Sequence, residues 1–144
     1  MLSEIDVINA VCKKLESLGY AIRQSNKTTE HVIDIIAVKG GTLPIELYIE
    51  AKGEMSIKSG TTRAGKKLDS ADMQSNVAEA LYKTVAILSL KAEHDQVMAG
   101  MAFPDNPEYR EYVQIIEPVL NQLGIAIFWA RQKSSVEIVS AWGI

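Results

Sequence analysis

The sequence predicts a single α/β domain, and three observations support that fold class. The 144 residues suit one hydrophobic core of ordinary size. The composition, with 47% hydrophobic and 23% charged residues, is typical of a folded globular protein. Apolar residues recur at helical spacing in three segments, and short β-branched or apolar runs separate and follow them, in the order α-β-β-β-α-β-α-β-β. We therefore expect residues 1–144 to form one domain.

The first third of the chain predicts a helix followed by three strands. Ser3 and Asp6 have the spacing of a capping box, and apolar residues then recur at helical spacing until Gly19 ends the helix. Three strand-like runs follow, at residues 20–25, 31–39 and 45–52. The last two runs are joined by a short turn, so we expect them to form a hairpin.

The remainder of the chain predicts a long loop, two helices and three strands. Residues 53–70 contain glycines, hydroxyls and cations but no apolar periodicity, which predicts a surface loop. A second helix begins near Ala71, and its predicted apolar stripe consists of Gln74, Val77, Ala78, Leu81, Val85 and Leu88. Pro107 opens a third helix that runs to about Leu123, and Pro118 is expected to kink or divide it. The remaining strands are predicted at residues 96–103, 125–131 and 136–140.

Charge and composition exclude several functional classes. A formal net charge of -3 disfavours a generic nucleic-acid coat protein, and the single cysteine, Cys12, excludes an internal disulfide. No apolar run is long enough to span a membrane, and the N-terminus lacks the pattern of a signal peptide, so we expect a cytoplasmic protein with no membrane partner. Residues 52–67 are positively charged, although the chain as a whole is negative. This segment contains one acid, Glu54, and five cations, which are Lys52, Lys58, Arg63, Lys66 and Lys67.

Acidic side chains in two neighbouring predicted strands indicate a metal site. Alternation along residues 45–52 puts Glu50 and Lys52 on the same face of their strand. Asp34 is a lone acid in an apolar run, and an ionised acid in such surroundings needs a cation, a hydrogen bond or a metal to compensate it. Two carboxylates beside an amine suit Mg²⁺, which prefers oxygen ligands and retains water. Lys52 would then position a nucleophile or stabilise the charge that develops during phosphodiester hydrolysis.

This pattern resembles the PD-(D/E)xK nuclease superfamily. Asp34 is followed, after fifteen residues, by the run Glu50-Ala51-Lys52, and both motifs fall on adjacent predicted strands between the first and second helices. The core common to that superfamily is α-β-β-β-α-β, which covers this chain from Met1 to about Phe103. The resemblance implies a restriction endonuclease-like fold, in which helices flank a mixed central sheet, with an additional C-terminal helix and strands.

The resemblance also implies a function and a set of site residues. The function is metal-dependent hydrolysis of phosphodiester bonds, with DNA as the expected substrate, Mg²⁺ as the cofactor and Mn²⁺ as its substitute. Asp34, Glu50 and the carbonyl of Ala51 would bind the metal, and Lys52 would assist catalysis. Ile33 precedes Asp34 where the superfamily's name has proline, a position at which proline is often absent in its members.

Two helical residues fit the same resemblance. Glu4 lies near the middle of the first helix's apolar stripe, and nucleases that resemble Holliday-junction resolvases place a metal-binding glutamate on that helix. Gln74 matches the active-site glutamine of RecB-like nucleases, although their Gln-x-x-x-Tyr pattern is not met, because position 78 is alanine and the nearest tyrosine is Tyr82. Each residue also has a structural explanation, since Glu4 favours the positive end of the helix macrodipole and Gln74 can hydrogen-bond near the start of its helix.

The whole constellation has a structural alternative as well. Asp34, Glu50 and Lys52 can form an ordinary salt bridge on a sheet, and the chain would then be a catalytically inactive nuclease-like module that binds nucleic acid or a protein partner. The loop cations can simply keep the surface soluble, but their setting among glycines and hydroxyls matches a loop that contacts phosphate better. The residues expected to make this contact are Lys58, Arg63, Lys66 and Lys67. A small acidic chain has little surface for recognising a duplex, so help is expected from a second copy of the chain or from a partner protein.

Overall fold

The computed structural model describes residues 1–25, 33–56, 65–91 and 96–144. Within these ranges the chain forms an α/β fold, with an open, mixed six-stranded sheet and three helices. The helices are α1 (Glu4–Ser17), α2 (Ser70–Leu90) and α3 (Pro107–Leu123). The strands are β1 (Ala21–Ser25), β2 (Ile35–Lys39), β3 (Ile45–Ala51), β4 (Val97–Pro104), β5 (Ile125–Ala130) and β6 (Val136–Val139). The predicted α/β class and order of elements are therefore confirmed.

The strands occupy the sheet in the order in which they follow along the chain. β1, β2 and β3 pair antiparallel, as do β5 and β6. β3, β4 and β5 run parallel, because α2 and α3 provide the crossovers that parallel neighbours require. The predicted hairpin is confirmed for β2 and β3, in which Ile35 lies opposite Ile49. Asp34 immediately precedes β2 instead of lying inside it, and His31, the predicted start of that strand, lies outside the described residues.

Two hydrophobic cores form, one with α1 and one with α2 and α3. The buried face of α1 shares a core with Leu47, Ile49 and Ala51 of β3. The buried faces of α2 and α3 share a second core with residues of β4 and β5. Because side chains alternate along a strand, Tyr48 and Glu50 project away from the first core and toward α2. β3 therefore presents its polar side chains to α2.

α3 continues through Pro118 as one helix, so the division expected as one alternative to a kink is not observed. Proline leaves the carbonyl four residues earlier, which is that of Gln114, without its helical donor. Both residues are exposed, so water can hydrate this carbonyl.

Among the described residues, none of the helices is long and apolar enough to cross a membrane.

Asn106 begins α3 and also ties it to the segment that follows β3. Its side-chain oxygen accepts a hydrogen bond from the backbone N–H of Tyr109 at 2.8 Å, and its Nδ2 donates to Glu54 Oε1 at 3.2 Å. Asn106→Ala removes the helix cap and this second bond, so we expect it to lower the free energy of unfolding by about 2 kcal/mol in urea denaturation. Asn121→Ala, at an exposed position of the same helix, is the control and is expected to change it by less than about 0.5 kcal/mol. Equal stability of the two variants would contradict this role.

Candidate active site

Asp34, Glu50 and Lys52 lie together where β3 ends. Ile35 pairs with Ile49, and one further step along this antiparallel register brings Asp34 opposite Glu50. The backbone N–H of Ala51 donates a hydrogen bond to Asp34 Oδ2 at 2.8 Å. Asp34, Glu50 and Lys52 are only 4%, 3% and 8% exposed. The structure therefore brings the three ionisable side chains that the sequence analysis singled out into one buried cluster.

Two residues of α2 complete this cluster, and sequence analysis did not identify either. Lys52 Nζ lies 2.6 Å from Glu79 Oε1, and the same oxygen lies 3.2 Å from Lys83 Nζ. Lys83 Nζ also lies 3.5 Å from Glu50 Oε1. In the sequence Glu79 and Lys83 form an ordinary i,i+4 pair, of the kind that commonly stabilises an exposed helix face. Their role becomes visible only when α2 is seen to pack against the polar face of β3.

Three carboxyl groups at this site, those of Glu4, Asp34 and Glu50, have raised pKa values, whereas the hydrogen bond from Lys52 lowers the pKa of Glu79. Burial, followed by the negative charge of Asp34, raises the pKa of Glu50 to about 8. Burial also raises the pKa of Asp34, although its hydrogen bond from Ala51 acts in the opposite direction. The pKa of Glu4 rises to about 7, through burial and then through the charge of Asp34. These shifts indicate a shortage of positive charge and of water around the acids.

The donor set has the chemistry that Mg²⁺ requires. The Oε2 atom of Glu50 is buried and has no hydrogen-bond partner among the described residues. A buried carboxylate oxygen without a partner is costly, and a cation would relieve that cost. No group of three or more His, Cys, Asp and Glu side chains within the described ranges forms a ready cage for a metal. Mg²⁺ is commonly held by one or two carboxylates and several waters, so Asp34 and Glu50 with the Ala51 carbonyl suit it.

Glu4 reaches the same surroundings because α1 begins against the end of β3. It is the first residue of α1 and is half-buried, and its pKa responds to Asp34, Lys52 and Lys83. Its predicted role as a further metal ligand stays a prediction, because the described carboxylates do not form a three-acid ligand group.

Gly53 allows this close approach of α1. A Cβ at position 53 would lie 2.4 Å from the backbone nitrogen of Glu4 and 2.7 Å from the carbonyl carbon of Ser3. The carbonyl of Gly53 accepts a hydrogen bond from the Tyr109 hydroxyl at 2.6 Å. Next to it, Glu54 N donates to Leu2 O, and Leu2 N donates to Glu54 Oε2, both at 2.9 Å. The two residues after Lys52 thus fix the start of α1 beside the cluster.

Gln74 does not lie where the sequence pattern put it. The buried face of α2 consists of Met73, Val77, Ala80 and Thr84, whereas Gln74 is exposed. No hydrogen bond or ion pair joins Gln74 to the cluster within the described part of the chain. The sequence pattern therefore assigned the buried face of α2 incorrectly. Apolar residues occur around the whole circumference of this helix, and Tyr82 and Leu90 among them are exposed. The helix residue that contacts Lys52 is Glu79.

The basic segment after Lys52 is only partly described. Lys58 and Arg63 fall within residues 57–64, outside the described ranges. Lys66 is exposed, and Lys67, also exposed, lies 3.6 Å from Glu108 Oε1.

The two ends of this segment, which the sequence predicts to be a surface loop, are paired with each other. Ser56 N donates to Lys66 O at 2.8 Å, Leu68 N donates to Glu54 O at 2.9 Å, and Met55 forms an antiparallel bridge with Lys67. The segment therefore leaves the sheet at the cluster and returns beside it, which keeps Lys66 and Lys67 near that end of the fold.

A scan against protein-family models and searches of curated proteins and of solved structures found no match to this chain. Its function must therefore be inferred from the chemistry of the cluster.

Proposed function

We propose that this protein is a magnesium-dependent nuclease of the PD-(D/E)xK type that hydrolyses phosphodiester bonds of DNA. The observation that carries the proposal is the pair of buried acids, Asp34 and Glu50, which lie in one cluster with the Lys52 ammonium and leave one Glu50 oxygen without a partner among the described residues. Paired carboxylates beside an ammonium group supply what metal-assisted phosphodiester hydrolysis needs.

The architecture around the cluster supports the proposal. The run from α1 through β1, β2 and β3 to α2 and β4 has the order of the core that PD-(D/E)xK nucleases share. In this chain Asp34 immediately precedes β2, Glu50 and Ala51 are the last residues of β3, and Lys52 follows them. α3, β5 and β6 are additions to this restriction endonuclease-like core. Topology alone does not assign an activity, so the proposal depends on the cluster.

Each residue of the cluster has a definable task in this reaction. Asp34 and Glu50, with the Ala51 carbonyl, would hold Mg²⁺, and the bound ion would lower the pKa of water and neutralise charge on the phosphate. Lys52 presents its ammonium to the same space and would stabilise negative charge that develops on the phosphodiester. Glu79 holds that ammonium at 2.6 Å, which limits the positions that the flexible side chain adopts.

The basic segment suits a nucleic-acid substrate. Lys66 and Lys67 lie where the chain returns from residues 57–64, next to the end of β3. Lysines contact phosphate without reading base sequence, so these residues would hold DNA in the orientation that cleavage requires. Lys58 and Arg63 are proposed to extend this contact. Because the chain is small and acidic, we expect a second copy or a partner protein to share recognition of a duplex.

The experiment that tests this function is incubation of the purified protein with linear, circular, branched and single-stranded DNA and with RNA, each with Mg²⁺, Mn²⁺ or Ca²⁺. We expect Mg²⁺ and Mn²⁺ to support cleavage and Ca²⁺ to bind without turnover. Lys52→Ala is expected to lower the cleavage rate by about 100-fold or more, since it removes a charge that acts on the transition state. Lys13→Ala, at an exposed position of α1, is the matched control and should cleave as the wild type does.

The possible outcomes separate the candidate functions. Cleavage by Lys52→Ala at the wild-type rate, with the fold verified by circular dichroism, would refute the assigned role of Lys52. DNA binding without cleavage in any metal would identify the chain as an inactive nuclease-like module instead.

A further inference from the structure

Lys83 lies against the acid that the proposed function assigns to the metal. Its Nζ is 3.5 Å from Glu50 Oε1 and 3.2 Å from Glu79 Oε1, and its side chain is 30% exposed. We infer that Lys83 is the counter-ion of the ionised Glu50 carboxylate in the metal-free protein, that the incoming divalent cation displaces it, and that Glu79 retains it afterwards. Lys83 would therefore set the affinity of the metal site. This inference rests on the proposed function.

Lys83 contacts two carboxyl groups at different distances. Within the described residues, Lys83 provides the ion pair that Glu50 makes. A carboxylate as deeply buried as Glu50 is costly without a neighbouring cation. The contact is nevertheless long, whereas the contact with Glu79 is shorter and lies at the helical i,i+4 spacing that favours a Glu-Lys pair. Lys83 can therefore leave Glu50 without losing its other partner.

Lys52 differs from Lys83 in its partner and in its exposure. Lys52 Nζ makes its ion pair with Glu79, at 2.6 Å, and its side chain is 10% exposed. Lys83 instead contacts Glu50 itself, and its greater exposure gives it room to move toward solvent. A divalent cation and an ammonium group would compete for one carboxylate, because both are attracted by the same negative charge. Lys52 is thus suited to act on the substrate. Lys83 is suited to pair with the Glu50 carboxylate until a divalent cation displaces it.

Lys83→Met tests the inference, because methionine has similar length but no charge. The measurement is Ca²⁺ binding by isothermal titration calorimetry at about pH 9, where Glu50 is ionised, and it requires no turnover. Removal of a competing positive charge 3.5 Å from the buried Glu50 carboxylate is expected to tighten Ca²⁺ binding roughly 10-fold. The Mg²⁺ concentration that gives half-maximal cleavage should fall by a similar factor. Lys83→Arg, which restores the charge, should return Ca²⁺ affinity to the wild-type value.

Lys91→Met is the matched control, because it removes the same charge at the end of the same helix. Lys91 Nζ lies 5.2 Å from the centre of the Tyr48 ring. A screened charge outside the cluster should change Ca²⁺ affinity by less than about twofold. Lys83→Gln provides a second neutral variant whose polar end group remains compatible with water, so the comparison does not depend on the folding of Lys83→Met alone.

The results distinguish failure of this inference from failure of the proposed function. If the wild type binds Ca²⁺ and both neutral variants bind it equally or more weakly, Lys83 does not compete with the metal, and the inference is overturned while the nuclease assignment stands. If the wild type binds neither Ca²⁺ nor Mg²⁺, the proposed metal site is wrong and the inference fails with it. Tighter binding by both neutral variants, reversed by Lys83→Arg, supports the inference.

Discussion

Glu50→Gln is expected to abolish metal-dependent cleavage and to make the metal-free protein more stable at alkaline pH. The loss of activity follows from the loss of a negatively charged oxygen ligand, since an amide neutralises no charge on the metal. We expect the cleavage rate to fall by at least about 100-fold, because even residues that only support metal ligands typically contribute 10- to 100-fold. A nuclease assay with Mg²⁺ and with Mn²⁺ measures this effect.

The gain in stability follows from the pKa of Glu50. Burial and then Asp34 raise this pKa from 4.5 to about 8, so the folded protein binds a proton that the unfolded chain has already released. The contribution of this proton to the free energy of unfolding is fully present below the unfolded pKa of 4.5. It is lost as the pH rises through the folded pKa of about 8. The amide that Glu50→Gln introduces carries no such charge, so the variant should exceed the wild type in stability at about pH 9 and differ much less at about pH 4. Urea denaturation in EDTA at both pH values checks this result.

Glu46→Gln is the control for this pair of effects, because Glu46 lies on the same strand. It pairs with Arg23 at 3.5 Å and is more exposed than Glu50, with 29% of its side chain accessible. We expect neither its cleavage rate nor the pH dependence of its stability to change beyond experimental error. Retention of activity by Glu50→Gln, or a loss of stability at alkaline pH, would show that Glu50 is held as an ordinary structural ion pair.

The central carboxylates were predictable because their positions are fixed locally. Strand alternation determines which face Glu50 and Lys52 share, and a hairpin with a short turn fixes the register that brings Asp34 opposite Glu50. Asp34 was conspicuous because an acid interrupts an apolar run. These signals need only a few neighbouring residues, so a single sequence contains them.

The contribution of α2 was not predictable in the same way. Glu79 and Lys83 reach the cluster through the rotation of α2 about its own axis, which depends on how the helix packs. The helix has apolar residues on every side. Because Tyr82 is exposed and Thr84 is buried, the hydrophobic periodicity does not define which face of the helix is buried. The mistaken placement of Gln74 and the omission of Glu79 have this one cause.

The contribution of Gly53 was also hidden. Glycine in the sequence predicted a loop, which is a statement about local backbone freedom. Its actual importance is the absence of a side chain where the start of α1 passes, and that contact joins residues far apart in the chain. Only tertiary structure shows which glycines are required for close approach.

Gly53→Ala is therefore expected to cause the largest loss of stability from a single methyl group. The new Cβ would lie 2.4 Å from Glu4 N and 2.7 Å from the carbonyl carbon of Ser3. Both are backbone atoms, so no side-chain rotation relieves the overlap, and the start of α1 has to move. Overpacking of this kind costs about 1–3 kcal/mol, and we expect a loss in free energy of unfolding at the upper end of that range. Urea denaturation measures it.

The same displacement should impair the site in molecules that remain folded. Glu4 lies at the start of α1, and the Tyr109 hydroxyl binds the carbonyl of Gly53, so movement there alters the surroundings of the buried acids. Gly40→Ala is the matched control, since a Cβ at position 40 would meet no atom within 4 Å. It should leave cleavage unchanged and shift stability by less than about 1 kcal/mol, because the substitution acts mainly on the unfolded chain. If Gly53→Ala proves as stable and as active as Gly40→Ala, α1 does not depend on this contact, and Glu4 is not held at the cluster by the residues that follow Lys52.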